Sequence, residues 1–284
     1  MTYIETLANW LKEQFSEPAK TDARQLNLAL RVLAIWRTRL MVDTFVARHG
    51  ARILQGPFAG MEYLTAAAEG ALLPRLLGTY ESELHPALMG FMARGLDCVI
   101  DVGCAEGYYA VGLARLAPEL MVYAHDTNPK AQAACRELAA KNGVEDRVMV
   151  GGLFATTDFE AFADQRCLVI VDIEGAEDDL LRPDLSPALA QMPLIVETHD
   201  LYRPGVLDRL IERFTPTHHI QRLDIGHKSL PLPDWMGTLN HIDQLLAVWE
   251  WRAGPTPWLV MTPTADRLRS SASATGHAAR EATL

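Results

Sequence analysis

Basic charge is what this chain of 284 residues most plainly lacks: Lys and Arg number 26 against 36 Asp and Glu, a formal net charge of -10. That balance argues against broad binding to nucleic acid or to anionic membranes, either of which demands a basic surface, and leaves only local basic patches open. Cysteine is scarce too. Cys98, Cys104, Cys135 and Cys167 form no Cys-x-x-Cys pair, so neither a zinc knuckle nor a disulfide framework is indicated, and buried reduced thiols in a cytoplasmic protein are expected. No apolar run is long enough to cross a bilayer, and Glu5, Lys12 and Glu13 replace the basic start and apolar run of a signal peptide. A Gly-Lys-Ser/Thr triplet after a glycine turn is also absent, which excludes a phosphate-binding P-loop there. The chain carries no internal repeat.

What the chain does have is apolar content of 49% with a mean hydropathy of +0.01, enough for a substantial core in one large domain or a domain with an appendage. Its centre is the stretch Cys98-Val-Ile-Asp-Val-Gly-Cys-Ala-Glu-Gly-Tyr-Tyr109. The short apolar run reads as a parallel strand covered on both faces, Gly103 and Gly107 bracket a turn, and Val111, Leu113, Ala114 and Leu116 continue on a helical pattern. A turn between a strand's carboxyl end and a helix's amino end is where open α/β sheets bind ligands. Asp101 before the turn and Glu106 inside it would repel a pyrophosphate, but they suit an ammonium or a sulfonium.

Asp101-Val-Gly-Cys-Ala-Glu-Gly-Tyr-Tyr109 resembles the first motif of class I S-adenosylmethionine-dependent methyltransferases, with Ala105 where a glycine is usual. Asp172-Ile-Glu-Gly-Ala-Glu177 is similar to a signature of FkbM-type methyltransferases, which mainly methylate hydroxyls of sugars and natural products. Together the motifs span roughly 96–200. The resemblance implies an α/β fold with a Rossmann-like, mostly parallel sheet of seven strands and a helical amino-terminal cap. It divides the chain into a cap and substrate-side region at 1–95, a cofactor-binding domain at 96–263 and a mobile tail at 264–284.

The implied cofactor is S-adenosylmethionine. Asp101, Gly103, Cys104, Glu106, Gly107 and Tyr109 belong to the turn that passes under its methionine part. Asp126 ends a second strand at the spacing of a ribose-binding acid, followed by Thr127 and Asn128. Gly152, Leu153 and Phe154 follow a third strand and are the adenine-side candidates, with an apolar role for Leu153 and Phe154. Asp172 ends a fourth strand beside Glu174 and Glu177, and such crowding of carboxylates is electrostatically costly and typical of sites. Glu177 itself is read as opening a helix. Glu197 and His199 end a fifth strand.

Upstream, the helical segments at about 4–11 and 23–48 place Leu26, Leu30, Leu33, Trp36 and Leu40 near one face, as a cap over the cleft or a homodimer surface. Gly56 to Tyr63 reads as an exposed loop on the substrate side. Tyr80, Glu81 and His85 sit just before the first strand, with Glu81 assigned to the cofactor and Tyr63, Tyr80, His85 and Trp235 to the substrate. His199 is the first candidate for the base, with Glu197 to orient it and Glu174 or Asp172 next in line. Asp172, Glu197 and His199 also have the ligand types for a divalent metal, although no metal is assigned. The resulting reading is O-methylation of a small-molecule hydroxyl, as in natural-product biosynthesis. The alternatives are transfer or cyclisation of the cofactor's aminocarboxypropyl arm, and a non-catalytic binding subunit.

Overall fold

The computed structural model describes residues 3–17, 21–65, 71–226, 228 and 231–265. The stretch expected to form a mobile tail lies outside them from residue 266 onward.

Seven strands make one sheet in the order β3-β2-β1-β4-β5-β7-β6. They are β1 (Cys98–Val102), β2 (Met121–His125), β3 (Val148–Gly151), β4 (Cys167–Val171), β5 (Leu194–Glu197), β6 (His218–Leu223) and β7 (Trp258–Pro263). The first five run parallel, and β7 inserts antiparallel between β5 and β6. Every residue of β1, β4 and β5 is buried, as their unbroken apolar runs require of strands covered on both faces. Alternation then sorts the side chains. Val99, Leu168, Ile170 and Ile195 join one core cluster, while Ile100, Val169, Val171 and Val196 join a second on the opposite face.

Gly107, at φ 93°, is the residue from which α5 (Tyr108–Leu116) departs. In α6 (Pro129–Lys141) Asn128 caps the first turn by accepting from the Lys130 amide, and proline occupies the opening turn. The described elements that precede the sheet are α1 (Tyr3–Gln14), α2 (Ala23–His49), α3 (Leu72–Leu77) and α4 (His85–Met92), and those after β4 are α7 (Glu177–Leu180), α8 (Val206–Phe214), α9 (Asp234–Gly237) and α10 (His241–Ala247).

Helix α2 leaves exposed the leucine face read as a cap over the cleft or a homodimer surface, so that face is not packed onto the rest of the chain. Its buried residues are Ala29, Thr38, Met41 and Phe45, whereas Leu26 and Leu30 are 57% and 65% exposed. The helix is held by Met41 and Phe45 in the first core cluster and by a bidentate Arg37–Asp243 pair at 2.6 and 2.5 Å. The loop before α3 is likewise not an exposed aromatic surface, since Phe58 and Tyr63 are fully buried.

The expectation of four reduced thiols also changes. Cys104 and Cys135 are free and buried, but Cys98 and Cys167 are directly paired across the β1 and β4 ladder and are joined as a disulfide. Register explains the pairing: partner positions on neighbouring strands point their side chains to the same face.

Candidate active site

The carboxyl ends of the parallel strands meet at one edge of the sheet. Gly103, at φ 88°, is the pivot, because a Cβ there would stand 1.6 Å from the backbone oxygen of Asp172. Only glycine lets the turn after β1 lie against the turn after β4. The Gly103 and Cys104 amides both donate to the His125 carbonyl, at 2.8 and 3.0 Å, which ties the glycine turn to β2.

A groove of about 540 Å³ opens along this edge, lined by Gly103, Asp126, Thr127, Asn128, Gly152, Leu153, Phe154, Asp172 and Glu174 among others. Asp126 supports its floor, with one carboxylate oxygen accepting from the Ala105 amide at 3.0 Å and the other from Asn128 at 2.7 Å. A carboxylate has about four acceptor positions, so capacity remains for hydroxyls. Phe154 is buried edge-on to His125, whose Nδ1 donates to the Gly152 carbonyl at 3.1 Å, and Leu153 at 79% exposure forms the rim.

A second cavity of about 260 Å³ adjoins the groove and shares Gly103, Asp172 and Glu174 with it. Its other polar walls include Glu197, His199, Glu250 and Arg252. His199 is buried, with Nδ1 2.7 Å from Glu177 Oε1. The same oxygen accepts from the Gly175 amide at 3.0 Å, so the ring nitrogen is the donor and Nδ1 carries the proton. Nε2 then faces Asp172 Oδ1 at 3.6 Å and Glu174 Oε2 at 3.5 Å. Burial alone would lower the His199 pKa, but the Glu177 hydrogen bond and the surrounding carboxylates more than offset it and raise it. Burial, reinforced by the Glu81 carboxylate, pushes Asp172 up to about 7. Asp101, buried one strand away, rises to about 7 by burial and then by Asp172.

Two expectations about these carboxylates are corrected. Glu177, read as a helix-opening acid only, is wholly buried and orients His199. Glu197, expected in that orienting role, lies 3.8 Å from His199 Nε2 and is paired with Arg252 instead. Arg252 is the main residue that the sequence reading missed. It also holds Glu81 and Glu250, fastening the loop before β7 to the segment before α4. Nothing in the spacing of the chain announces it, because its partners lie up to 171 residues away.

Several predicted contacts lie behind the site and line neither cavity. Glu106 is fully buried, paired with Arg75 at 3.0 Å and accepting from Tyr63 at 2.7 Å, so it does not face the groove as a turn carboxylate. Tyr63 is removed from the substrate side by the same bond. Glu81 accepts from Tyr109, and both groups sit in the wall. Cys104 and Gly107 pack over Cys135. His85 caps the wall through Nε2, which is 3.2 Å from the Tyr80 carbonyl. Burial lowers the His85 pKa. Tyr80 does line the second cavity, with the Arg75 guanidinium 4.4 Å over its ring. Trp235 belongs elsewhere: its indole donates to His49 at 3.0 Å beside a separate cleft against α2.

Backbone strain concentrates here as well. The four non-glycine residues with positive φ among those described are Glu81, Ala105, Glu174 and Trp251. Ala105, Glu174 and Trp251 line the second cavity, consistent with strain held at a functional site.

No family model matches the sequence. It is 28% identical over 179 residues to the release factor glutamine methyltransferase of Deinococcus radiodurans, covering 59% of this chain and 64% of that protein. To the protein of the same name from Synechocystis sp. it is 25% identical over 154 residues, covering 49% of each. The chain thus spans between about half and just under two thirds of the length of these curated relatives. Among solved structures, an O-methyltransferase from Bacillus cereus in complex with SAH aligns over 80% of this chain and 90% of its own, at 12% identity and a TM-score of 0.44. A SAM-dependent O-methyltransferase from Thermotoga maritima aligns over 64% of each chain, at 12% identity and a TM-score of 0.42. Five parallel strands, a closing antiparallel hairpin and the glycine turn after β1 give the chain a Rossmann-like, seven-stranded, mostly parallel α/β fold.

Proposed function

We propose that this protein is an S-adenosylmethionine-dependent methyltransferase that methylates a hydroxyl of a small molecule. The observation that carries the reading is the junction of the two cavities, where Asp172 and Glu174 belong to both walls. A cofactor seated in the groove, with its ribose at Asp126 and its adenine beside Gly152 to Phe154, would present its sulfonium at that junction. The acceptor would enter from the second cavity. Transfer is an in-line displacement: the acceptor oxygen forms the new O–C bond, the C–S bond breaks, and its electron pair stays on sulfur as a neutral thioether. The hydroxyl proton must leave, and the Asp172, Glu174 and His199 group supplies the negative and basic atoms that favour its departure. Positioning does most of the work in such a reaction, and proton removal adds about 10²- to 10⁴-fold.

The Asp172-Ile-Glu-Gly-Ala-Glu177 motif supports the FkbM-like form of this reading. The names of the curated relatives support a second one, transfer to a glutamine side chain of a protein. Isothermal titration with S-adenosylhomocysteine tests the cofactor. Asp126→Ala should weaken binding by about 1.5 to 3 kcal/mol, the range for a hydrogen bond to a charged group, and unchanged affinity in a folded variant removes Asp126 from the site. Labelled methyl transfer to a hydroxyl panel and to glutamine-bearing release-factor peptides then separates the two acceptors.

A further inference from the structure

Three atoms of ligand type converge where the cavities meet: Asp172 Oδ1, Glu174 Oε2 and His199 Nε2 all lie within 4.8 Å of one another. None of the spacings from Nε2 is a good hydrogen bond. At 3.6 Å to Asp172 and 3.5 Å to Glu174 they exceed the usual range. Donors held about 2.1 Å from a shared cation in tetrahedral or octahedral geometry stand roughly 3.0 to 3.4 Å apart, slightly closer than the two spacings from Nε2.

Two further observations point the same way. The His199 side chain is 4% exposed and its Nδ1 is taken by Glu177, so Nε2 is the ring nitrogen left to face the carboxylate oxygens at the cavity wall. Among the described residues no hydrogen bond reaches it, and Asp172 Oδ1 is a buried oxygen that also lacks a partner. Leaving such an oxygen uncompensated away from water is costly. A histidine whose far nitrogen is tethered by a buried carboxylate is also the arrangement that orients imidazole ligands toward metals.

We propose that Asp172, Glu174 and His199 hold a divalent cation, with its remaining positions open to the second cavity. Glu197 is not a ligand, because Arg252 neutralises it, and Glu177 is the positioning residue behind His199. One imidazole with two carboxylates favours a cation of the Mn²⁺ kind over Mg²⁺, which prefers all-oxygen, hydrated sites. The ion would bind an oxygen of the acceptor and favour loss of its proton. That last role rests on the methyltransferase reading; the ion site itself does not.

The test is direct binding of Mn²⁺ to the full chain after treatment with chelator, read by loss of the free-ion electron paramagnetic resonance signal. One equivalent should bind. Glu174→Gln, at a position 58% exposed and so tolerant of change, and His199→Ala should each weaken binding at least about tenfold, and Glu177→Gln by about 10- to 100-fold through loss of the carboxylate charge that makes the ring a stronger ligand. Asp184→Asn, at a surface acid paired with Arg182, should change nothing. If the wild type binds no Mn²⁺ at millimolar concentration, or if Glu174→Gln and His199→Ala bind it as the wild type does, the proposal is overturned. Titration of the same samples with S-adenosylhomocysteine is read separately, and its failure would sink the cofactor reading while leaving the ion site standing.

Discussion

His199 Nδ1 donates to Glu177 Oε1 across 2.7 Å, between side chains that are 4% and 0% exposed. The bond links the end of β5 to the start of α7, and a Gly175 amide converges on the same oxygen. Removing the carboxylate leaves two buried donors unmet, so Glu177→Ala should lower the unfolding free energy by about 3 to 5 kcal/mol, as when one partner of a buried pair is lost. Glu177→Gln should cost less, because its amide oxygen still accepts. Chemical denaturation of the two variants checks the order, and a Glu177→Ala protein as stable as the wild type would show that the pair does not hold the site. His199→Ala should reduce turnover at least about tenfold while S-adenosylhomocysteine affinity stays nearly unchanged, whether the ring serves as ligand or base.

Gly103 and Gly143 make a controlled comparison. Both have positive φ, at 88° and 64°, but a Cβ at Gly103 would collide with the Asp172 carbonyl whereas at Gly143 it would meet nothing within 4 Å. Gly143→Ala should cost only the left-handed backbone penalty of about 1 to 2 kcal/mol. Gly103→Ala forces β1 and β4 apart at the site and should cost more than about 4 kcal/mol or prevent folding. Thermal and denaturant melts decide it; equal losses would mean that the close approach of the two turns is not required.

Helix α2 gives a second pair. Phe45 is wholly buried and Leu30 is 65% exposed. Phe45→Ala should destabilise by about 3 to 5 kcal/mol, and Leu30→Ala should change the monomer's stability by less than about 0.5 kcal/mol. Sedimentation of Leu30→Ala also tests whether the exposed leucines serve a homodimer, since such an interface would weaken in the variant.

The difference between what could and could not be read from the chain follows the range of the interactions. The strands were legible because Val-Ile runs ending in Asp, Glu or glycine turns are local patterns, and the residues lining the groove follow from strand order alone. In α2 the helix was legible but its inward face was not. Leucine content pointed one way, while packing at Ala29 and Phe45 and the tie between Arg37 and Asp243 fixed the other. Glu106 was misread because an acid inside a glycine turn looks exposed until Arg75 and Tyr63 arrive from another segment. Arg252 and the Cys98–Cys167 pairing are likewise products of tertiary proximity. Glu177 illustrates a nearer miss: its place in the motif was seen, and its burial was not.

Acid stability should depend on Asp178, which sits at 8% exposure between the guanidinium groups of Arg209, at 2.7 Å, and Arg213, at 2.6 Å. Burial by itself would raise this carboxyl, but the two arginine hydrogen bonds outweigh it and hold the pKa below the ordinary aspartate value. A group depressed on folding contributes stability that is present above its unfolded pKa and disappears as pH falls through the folded one. The contribution should therefore be complete at neutral pH and fade below about pH 4. Asp178→Asn loses the charge at every pH, so it should be less stable than the wild type by about 1.5 to 3 kcal/mol near pH 7, with the gap closing on acidification. Denaturant midpoints measured from pH 7 down to pH 3 would show this convergence. A gap that stays constant, or widens as pH falls, would mean that Asp178 acts through packing and not through its charge.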